Sequence, residues 1–600
     1  MKKVFLIFTV SALFIPLSSA LSQGLSDYVK QIKGDTLVVK TYDEMGSQPN
    51  ALYYALLLDT ANVPEGRVYE LQAGGWYPLQ NNPTSSAKHP TVIVGSDPTM
   101  VVNNKNAASI PPLISGYAGT FTNIGYITAN RDLTVKNCAL VPGANDGSLG
   151  WDVAQTNAPG LKMIFDNCIM EHTRWIFVLV DSPKCNVTFR NCYFVNMTGQ
   201  PCRRSGGLFD CFADLDTLLV ENCTNIMACG SLFRFRSDPI YSQFSPQFKR
   251  IIINHNTFIN CAGYVFMNPG CQSNVSLTSN IFLNSNVEPY PGIHTIDQGE
   301  QDPEWLPMGL VNVYPDSADV ANSTLRKFLC QKNLAYWDPA LANMDSILDA
   351  NKVNGVTNWR SQMILMNTRT DSMFKHIGRY TTAPYNYLVT DVWKNQMPQF
   401  TDSRDLFTAQ LAILKTYALG TVDTAGAAFL PDWRLVSTGP DSYLHPDWPI
   451  PVDLSYSNAD LLTSGIGGFP IGDLNWFPAQ KDAWIAQRAA EYSQIQTELD
   501  GAVSAAKSTN ALPAAFTLQQ NYPNPFNPAT IISFSLPHSA NASLKVYDML
   551  GREVATLVNG YTTSGTHEVT FNAASLASGI YFCRLTSGNF TEVKKMMLVK

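Results

Sequence analysis

Between Leu133 and Asn284 the apolar and polar positions alternate in short stretches that all end in the same way. Each stretch places β-branched, aromatic or other apolar residues at every second position and then an Asn, in the phrases TVKNC, IFDNC, TFRNC, LVENC, INHNTF and LTSNIF. The closing residues are separated by 30, 24, 31, 34 and 24 positions, and they are Asn137, Asn167, Asn191, Asn222, Asn256 and Asn280. A unit of this length cannot bury its apolar face alone, so the repeat predicts a stacked parallel β-solenoid.

The alternation predicts a direction for each side chain. In IFDNC, Phe165 should point inward, Asp166 outward, and Asn167 should turn the chain. Equal positions of successive coils lie about 4.8 Å apart, so the closing Asn residues are expected to form an inward hydrogen-bonded ladder. The alternative is a set of unrelated β-sandwich strands, because Asn is a common turn residue. A sandwich would need a turn every 8 to 12 residues, which the phrases do not provide.

The repeat resembles the right-handed parallel β-helix of the pectin-lyase-like superfamily. The resemblance is carried by NHNTFIN (Asn254–Asn260) and SNIFLN (Ser279–Asn284), and it covers about Val68–Phe477. It implies an all-β solenoid and says little about chemistry.

The flanking segments predict the domain order. Residues 1–20 have the pattern of a secretory signal peptide, with Lys2 and Lys3 before an apolar run. The β-helix domain is predicted over 21–478, with an N-terminal cap at 21–67 that contains a short helix at Ala51–Leu58. Lys332–Trp337 is predicted to form one further coil, and about 339–417 is predicted to be a partly helical insertion, with an independent helical domain as the alternative.

Two later phrases are similar to the closing coil of many β-helix proteins. They are PDWRLVSTGPDS (Pro431–Ser442) and GGFPIGDLNWFP (Gly467–Pro478). They predict that the solenoid resumes after the insertion and ends near Phe477. Residues 479–512 are then predicted to be an amphipathic helix and a linker, on an apolar stripe of Ile485, Ala489, Tyr492, Ile495, Leu499 and Val503.

Residues 513–600 carry several spaced motifs. Phe516–Pro537, Ser543–Leu557, Ser578–Leu585 and Lys594–Lys600 are short alternating strands separated by turns, which predicts a small Ig-like β-sandwich. Together they resemble a type A C-terminal sorting domain of type IX secretion. The resemblance implies export through the periplasm and across the outer membrane, with the sorting motif formed by Tyr522, Pro523, Asn524, Pro525, Phe526, Gly551, Gly579, Lys594 and Lys595. The alternative is an ordinary Ig-like adhesion module.

Composition narrows the classes of partner. Only 15% of the 600 residues are charged, the net charge is -7, and no basic tract occurs, so a nucleic-acid partner is not expected. Four of the twelve cysteines follow a closing Asn and are expected to stack unpaired in the core: Cys138, Cys168, Cys192 and Cys223. Disulfides are expected instead among Cys185, Cys202, Cys211, Cys229, Cys261 and Cys271.

The candidate binding residues lie just before the closing Asn of each phrase. Asp166, Arg190, Glu221 and His255 belong to an outward row with Lys136 and Ser279, in which positive and negative charges alternate. The simpler interpretation is a solvent-exposed row of weak cross-strand ion pairs. The alternative is a binding face for a polysaccharide.

Catalytic chemistry is only weakly indicated. No metalloprotease, hydrolase, phosphate-binding or EF-hand motif occurs, and no metal site or cofactor is predicted, with Ca²⁺ left open. The Asp-Asp, Gly-His-Gly and Asp-His phrases of polygalacturonases and pectate lyases are missing, so Arg190, Arg203 and Asp214 are candidates by type alone. Three functions stay open. The first is an exported protein that binds an extracellular polysaccharide, with or without degrading it; the second is a non-catalytic adhesin or envelope structural protein; the third is a polysaccharide lyase.

Overall fold

The fold is taken from a computed structural model that describes most of the chain. It describes residues 24–60, 63–81, 83, 89–97, 110–117, 127–144, 150, 152–173, 176–197, 207–235, 248–267, 272–291, 309–311, 327–351, 359–375, 386–390, 394–421, 448–505, 516–521, 523–536, 540–562, 565–587 and 590–600. The chain divides into two compact units, Met1–Asp500 and Gly501–Lys600. The predicted signal segment 1–20 and Pro431–Ser442 lie outside the described residues, and the predicted domain boundaries stay predictions.

The described strands are numbered along the chain. Those of the regular coils are β1 (Val29–Lys33), β2 (Thr36–Val39), β3 (Val68–Leu71), β4 (Trp76–Leu79), β5 (Thr91–Gly95), β6 (Leu113–Gly116), β7 (Ile127–Ala129), β8 (Leu133–Lys136), β9 (Ala139–Val141), β10 (Ala154–Thr156), β11 (Lys162–Asp166), β12 (Ile169–Glu171), β13 (Ile176–Val180), β14 (Cys185–Arg190), β15 (Tyr193–Met197), β16 (Gly207–Cys211), β17 (Leu215–Glu221), β18 (Thr224–Ala228), β19 (Phe233–Phe235), β20 (Phe248–Asn254), β21 (Thr257–Cys261), β22 (Phe266–Met267), β23 (Gln272–Thr278) and β24 (Ile281–Ser285). They are followed by β25 (Tyr290–Pro291), β26 (Lys327–Gln331), β27 (Leu334–Tyr336), β28 (Trp359–Arg360), β29 (Asn386–Thr390), β30 (Phe400–Asp402) and β31 (Asp453–Tyr456).

Three long sheets confirm the predicted β-solenoid. Sheet 1 runs in the order β1-β2-β3-β5-β8-β11-β14-β17-β20-β23-β26-β29, sheet 2 in the order β4-β6-β9-β12-β15-β18-β21-β24-β27, and sheet 3 in the order β7-β10-β13-β16-β19-β22. Apart from the antiparallel pair β1 and β2, neighbouring strands are parallel and in register, as in the pairing of Phe165 with Phe189. Each of the six coils from β5–β6–β7 to β20–β21–β22 therefore contributes one strand to each sheet. Membership of the pectin-lyase-like superfamily stays a prediction.

Left-handed turns connect the sheets. The turn between sheets 1 and 2 has one residue with φ of 49° to 56° in each coil: Asn137, Asn167, Asn191, Asn222, His255, Ser279 and Lys332. A second left-handed residue follows five positions later, directly after β12 or within the last two positions of the sheet 2 strand: His172, Asn196, Met227, Asn260 and Asn284. Asn tolerates this conformation better than most side chains, because its short amide bonds locally. The closing Asn of the first four phrases is therefore a turn residue.

This geometry corrects the predicted inward ladder. Glu221 pairs with Asn254, so His255 continues the turn column, and Asn256 and Asn280 lie one position further on. They continue the inward column of Cys138, Cys168, Cys192 and Cys223. The prediction placed all six Asn residues in one inward column and is wrong on this point. The error arose because the fifth coil carries Asn on both sides of His255.

Cysteine and asparagine play equivalent roles in the inward column. Cys192 Sγ donates to the carbonyl oxygens of Phe165 and Arg190 at 3.4 and 3.2 Å. Asn256 Nδ2 donates to the equivalent carbonyls of Val220 and Asn254 at 3.0 and 3.1 Å. The Asn members also bond each other, with Asn256 Nδ2 and Asn280 Oδ1 at 3.0 Å. A true ladder thus exists, formed by Asn256, Asn280 and Asn333.

None of the ten described cysteines is in a disulfide, and all ten are buried. The expected stacking of Cys138, Cys168, Cys192 and Cys223 is confirmed. The expectation of disulfides is wrong for Cys185, Cys211, Cys229 and Cys261, none of which is in a disulfide, whereas Cys202 and Cys271 lie outside the described residues. Burial raises the pKa of Cys261 to about 12, so this thiol stays protonated at neutral pH.

Helices lie at the ends and side of the solenoid. They are α1 (Ala51–Leu58), α2 (Met344–Ala350), α3 (Thr368–Lys375), α4 (Ala409–Thr421) and α5 (Pro478–Ala505). The predicted short helix is α1, whose buried residues join the solenoid core. The predicted coil at Lys332–Trp337 is confirmed by β26 and β27. Within the predicted insertion, β29 pairs with β26, so sheet 1 continues further than expected.

The segment Gly465–Phe477, which we call the strap, corrects the predicted closing coil. Its residues form turns, not a strand of the three sheets, and they lie against β18, β21 and the Ser279 turn. Gly472 has φ +90°, and a Cβ there would lie 2.7 Å from Ile281 Cδ1 and Thr257 Oγ1, so only glycine allows this close approach. The strap therefore leads the chain across the side of the solenoid to α5.

The predicted helix after Phe477 is confirmed as α5, but its stripe differs from the prediction. Ile495 and Leu499 are buried as expected, whereas Ile485 is 54% exposed and Ala489 is exposed. Trp484 and Glu491 occupy the buried face instead. The helix packs on the solenoid through polar as well as apolar contacts. The spacing of its apolar residues therefore predicted the wrong face as the buried one.

The C-terminal unit contains two antiparallel sheets. Its strands are β32 (Thr517–Leu518), β33 (Ala529–Leu536), β34 (Ala540–Tyr547), β35 (Glu553–Thr562), β36 (Gly565–Asn572), β37 (Gly579–Ser587) and β38 (Phe590–Leu598). The sheet orders are β32-β33-β36 and β35-β34-β37-β38, around one core that includes Phe526, Ile532 and Leu585. The predicted Ig-like sandwich is consistent with this arrangement.

Candidate functional site

The outer face of sheet 1 is the surface on which the candidate site lies. Outward positions on β11 are Lys162, Ile164 and Asp166, and the alternation continues on β14, β17 and β20. Helix α5 covers the part of this face from β17 onward. The part on β8, β11 and β14 stays partly exposed. The edge of α5 therefore forms a wall beside an open strip of sheet.

Two buried carboxylates fasten α5 to the sheet. Glu221 at the end of β17 accepts from Arg488 Nε at 2.8 Å and from the hydroxyl of Tyr492, and its side chain has no exposed area. The Arg488 guanidinium also lies 4.8 Å from the centre of the Tyr492 ring. A buried charge that is paired in this way holds the helix in one position, because separation would leave the charge unpaired.

Glu491 is the second anchor, and it receives several donors. Its carboxylate accepts from Asn254 Nδ2 at 2.8 Å, Trp484 Nε1 at 2.8 Å and Gln487 Nε2 at 3.1 Å. His255 Nε2 lies 3.4 Å from Glu491 Oε1, and both side chains are fully buried. Burial would raise the pKa of Glu491, but His255, Asn254 and Trp484 outweigh it, so the pKa is lowered.

A groove of about 640 Å³ lies between α5 and the open strip of sheet 1. Its described lining contains three cationic side chains, Lys162, Arg250 and Arg488. Six further side chains can donate and accept hydrogen bonds: Asn186, Thr188, Thr217, Tyr492, Ser493 and Gln496. The remaining lining residues are apolar: Ile164, Leu219, Ile252 and Ala489. None of these lining residues is acidic. The lining spans four coils, a length of about 14 Å at the spacing of parallel strands.

The cations of the groove differ in their partners. Arg488 is held by Glu221, whereas Lys162 and Arg250 have no ion-pair partner among the described residues and are exposed. Lys249, which directly precedes Arg250, forms an ion pair with Asp216 (Nζ to Oδ1, 2.6 Å) and does not line the groove. Lys162 and Arg250 are therefore available to an anionic ligand. Sequence reasoning missed them, although the outward alternation of β11 includes Lys162.

The predicted binding residues divide into two pairs. Asp166 and Arg190 lie near each other on the open strip, with Arg190 Nε 3.5 Å from Asp166 Oδ2 and side chains 33% and 19% exposed for Arg190 and Asp166. Glu221 and His255 are buried beneath α5, so the expectation that the whole row faces solvent is wrong for them. A contact separated by 237 positions, such as Asn254 with Glu491, leaves no local signal in the sequence. A binding role for all four stays a prediction.

The candidate catalytic residues do not form a cluster. Cys185 pairs with Leu215 and Arg190 with Glu221, so Asp214 lies at the opposite end of the strand pair from Arg190, about 17 Å away. Arg203 lies outside the described residues. No group of three or more His, Cys, Asp or Glu residues suited to a metal ion occurs within the described ranges. The Ca²⁺ alternative and the catalytic roles stay predictions.

The described residues of the predicted sorting motif lie at several places in the C-terminal unit. Phe526 N donates to Met597 O at 2.9 Å, Val599 N donates to Phe526 O at 3.0 Å, and Met597 N donates to Asn524 Oδ1 at 2.8 Å. The segment Pro523–Phe526 thus lies along the edge strand β38, which carries Lys594 and Lys595. Gly551 lies in the turn between β34 and β35, and Gly579 begins β37. Tyr522 lies outside the described residues.

Comparison with known proteins concerns mainly this second unit. Residues 520–600 match the family model described as the secretion system C-terminal sorting domain. These residues are a sorting domain. It directs the chain across the outer membrane by the type IX secretion system, to the cell surface or the extracellular space. None of the helices in the described ranges has a stretch long and apolar enough to cross a membrane.

Other comparisons add little. A solved structure with a similar segment is PorZ of Porphyromonas gingivalis, described as an essential surface component of the type IX secretion system. The identity is 23% over 16% of this chain and 12% of PorZ, and the TM-score of 0.11 carries no argument about fold. The chain thus spans about one eighth of PorZ. No curated protein matches the chain.

Proposed function

We propose that the chain is an exported, surface-displayed or released protein that binds an acidic extracellular polysaccharide in the groove beside α5. The observation that carries the proposal is the composition of the groove, in which Lys162 and Arg250, which have no ion-pair partner among the described residues, accompany a strip of hydroxyl and amide groups. Export by the sorting domain places this groove outside the cell, where such polymers occur.

The chemistry of the lining favours a sugar acid over a neutral sugar. A guanidinium presents two parallel donors that match a carboxylate or sulfate, and an ammonium adds a point charge. Thr, Ser, Asn and Gln side chains suit a ligand rich in hydroxyl groups, since each can donate and accept. The apolar floor of Ile164, Leu219 and Ile252 suits the carbon face of a sugar ring. The groove is open, so a chain longer than the site can extend beyond it.

The same lining favours binding over cleavage. A lyase needs a base near the cation that neutralises the uronate, and a glycosidase needs two carboxylates at a set separation. The described residues that line the groove include neither a carboxylate nor a histidine. Polysaccharide lyase activity and a purely structural envelope role remain the alternatives.

A glycan array with the full-length protein tests the proposal. We expect uronate-containing or sulfated chains to bind and neutral chains not to bind, with affinity falling as salt is added. The best acidic oligosaccharide is then titrated against Lys162→Ala/Arg250→Ala. Each lost charged contact removes about 1–2 kcal/mol, so affinity should fall at least about tenfold.

Lys249→Ala is the matched control, because it removes a cation from the same strand without altering the groove. It should bind like the wild type. The proposal fails if the double variant binds as well as the wild type, or if only neutral glycans bind. A loss of polymer chain length, followed by the appearance of unsaturated ends, would instead support the lyase alternative.

A further inference from the structure

The turn between β34 and β35 presents two apolar side chains to solvent. Met549 and Leu550 are 70% and 79% exposed, the highest values among the large hydrophobic residues of the described chain. Single exposed apolar residues are common on protein surfaces and need no special explanation. Met549 and Leu550 differ in being adjacent in sequence at the tip of a hairpin, and we call this pair the knob.

The turn is held rigidly by one carboxylate. Asp548 Oδ1 accepts from the backbone N–H groups of Leu550 and Arg552, both at 2.9 Å, and Asp548 Oδ2 accepts from Arg552 Nε at 2.7 Å. Backbone bonds between Asp548 and Arg552 and between Gly551 and Asp548, both 3.0 Å, close the loop. Gly551 has φ +74°, which glycine adopts without strain.

A rigid tip is suited to recognition. Binding a preorganised loop costs less conformational entropy than ordering a flexible one, and apolar anchors in a partner pocket dominate many interfaces. We propose that the Met549–Leu550 tip is a docking element of the sorting domain, which inserts into an apolar pocket on a protein of the type IX secretion machinery. That occupant follows from the sorting role of residues 520–600, because the machinery must read an exposed feature of this domain.

The test compares export of full-length variants in a bacterium with a type IX secretion system. Met549→Ser/Leu550→Ser removes the knob. Val593→Ser is the control, since it removes another exposed apolar side chain, 49% exposed, from the same domain and outside the segments that carry the sorting motif. We expect the tip variant to accumulate in the periplasm, with an exported fraction at least about tenfold lower, and the control to be exported normally.

Two further variants separate recognition from misfolding. Met549→Leu/Leu550→Met keeps the apolar knob and should restore export, whereas Asp548→Ala loosens the turn and should reduce export in part. Normal export of the serine tip variant, an equal loss in the control, or failure of the Leu/Met exchange would each overturn the proposal. It is also overturned if the tip variant changes only a monomer–dimer equilibrium, because the knob would then join two copies of this chain.

Discussion

Replacing Glu491 with alanine removes the acceptor on which α5 is fastened to the solenoid. The substitution leaves the buried Trp484 Nε1 and Asn254 Nδ2 without the oxygen that each now contacts at 2.8 Å. A buried donor without a partner costs about 1–3 kcal/mol. Gln487 is half-buried and can turn to water, so we count only the first two donors. The expected loss is therefore about 3 kcal/mol in the docking of α5.

That loss predicts a specific result in hydrogen exchange. A change of about 3 kcal/mol raises the equilibrium constant for opening of the helix roughly a hundredfold. Amides between Trp484 and Leu499 should therefore exchange about a hundredfold faster. Glu498→Ala is the control on the same helix, because among the described residues its carboxylate accepts only from the exposed Gln494 Nε2, at 2.9 Å. It should change the exchange little. Unaltered exchange in the Glu491 variant would refute the anchoring role.

The pH dependence of the same anchor has a defined sign. The pKa of Glu491 is lowered in the folded protein, so its contribution is present above the ordinary glutamate value of about 4.3 and is lost as the pH falls through the lower folded value. Protection of α5 should thus be constant from neutral pH to about pH 5 and fall in stronger acid. Glu491→Gln should remove most of this pH dependence.

Three other predictions test the core. Asn280→Ala should lower the free energy of unfolding by about 3 kcal/mol, because the side-chain amide accepts a hydrogen bond from Asn256 and donates to Asn333 and to the Ile253 carbonyl. Asn191→Ala, at the half-buried turn, should lower it by only about 1 kcal/mol. Denaturant melts measure both losses, and equal losses would contradict the ladder. Thiol titration of the denatured, unreduced protein should detect at least ten free thiol groups, one for each described cysteine. A smaller number would contradict the absence of disulfides among these ten residues. Burial, together with the nearby Asp181, raises the pKa of Asp152 to about 7 in the folded protein. The Asp152 carboxyl therefore loses its proton at a lower pH in the unfolded state than in the folded state. The free energy of unfolding should consequently fall as the pH rises from about 4 to 7. Asp152→Asn should therefore stabilise the protein at pH 8 and not at pH 4, and no difference between the two pH values would refute this.

Local sequence patterns predicted the solenoid because its strands depend on alternation within a few residues. Phe165 is buried and Asp166 is half-buried, as the alternation requires. The inward ladder was predicted correctly at Asn256 and Asn280, but the closing Asn of the first four phrases lies one residue away, in the turn. The two columns were confused because Asn254 and Asn256 flank the turn residue of the fifth phrase, and either could be taken for its equivalent. Only the register between strands distinguishes them.

The candidate site was harder to predict, because it depends on contacts between distant parts of the chain. Glu221 and Asn254 continue the outward row of Asp166 and Arg190, yet α5 covers only Glu221 and Asn254. His255 lies in the adjacent turn column and is also buried by α5. The helix itself was predictable, but its buried face was not, since Glu491 lies on that face and the predicted apolar stripe did not include it. Arg488 reaches the groove only because that face is turned to the sheet.

The most direct test of the account is an experimental structure of the protein with a bound acidic oligosaccharide, chosen as the best ligand on the glycan array. The account predicts that the sugar lies in the groove beside α5, with its carboxylate or sulfate groups within hydrogen-bond distance of Lys162 and Arg250. An oligosaccharide bound elsewhere, with the groove unoccupied, would contradict it.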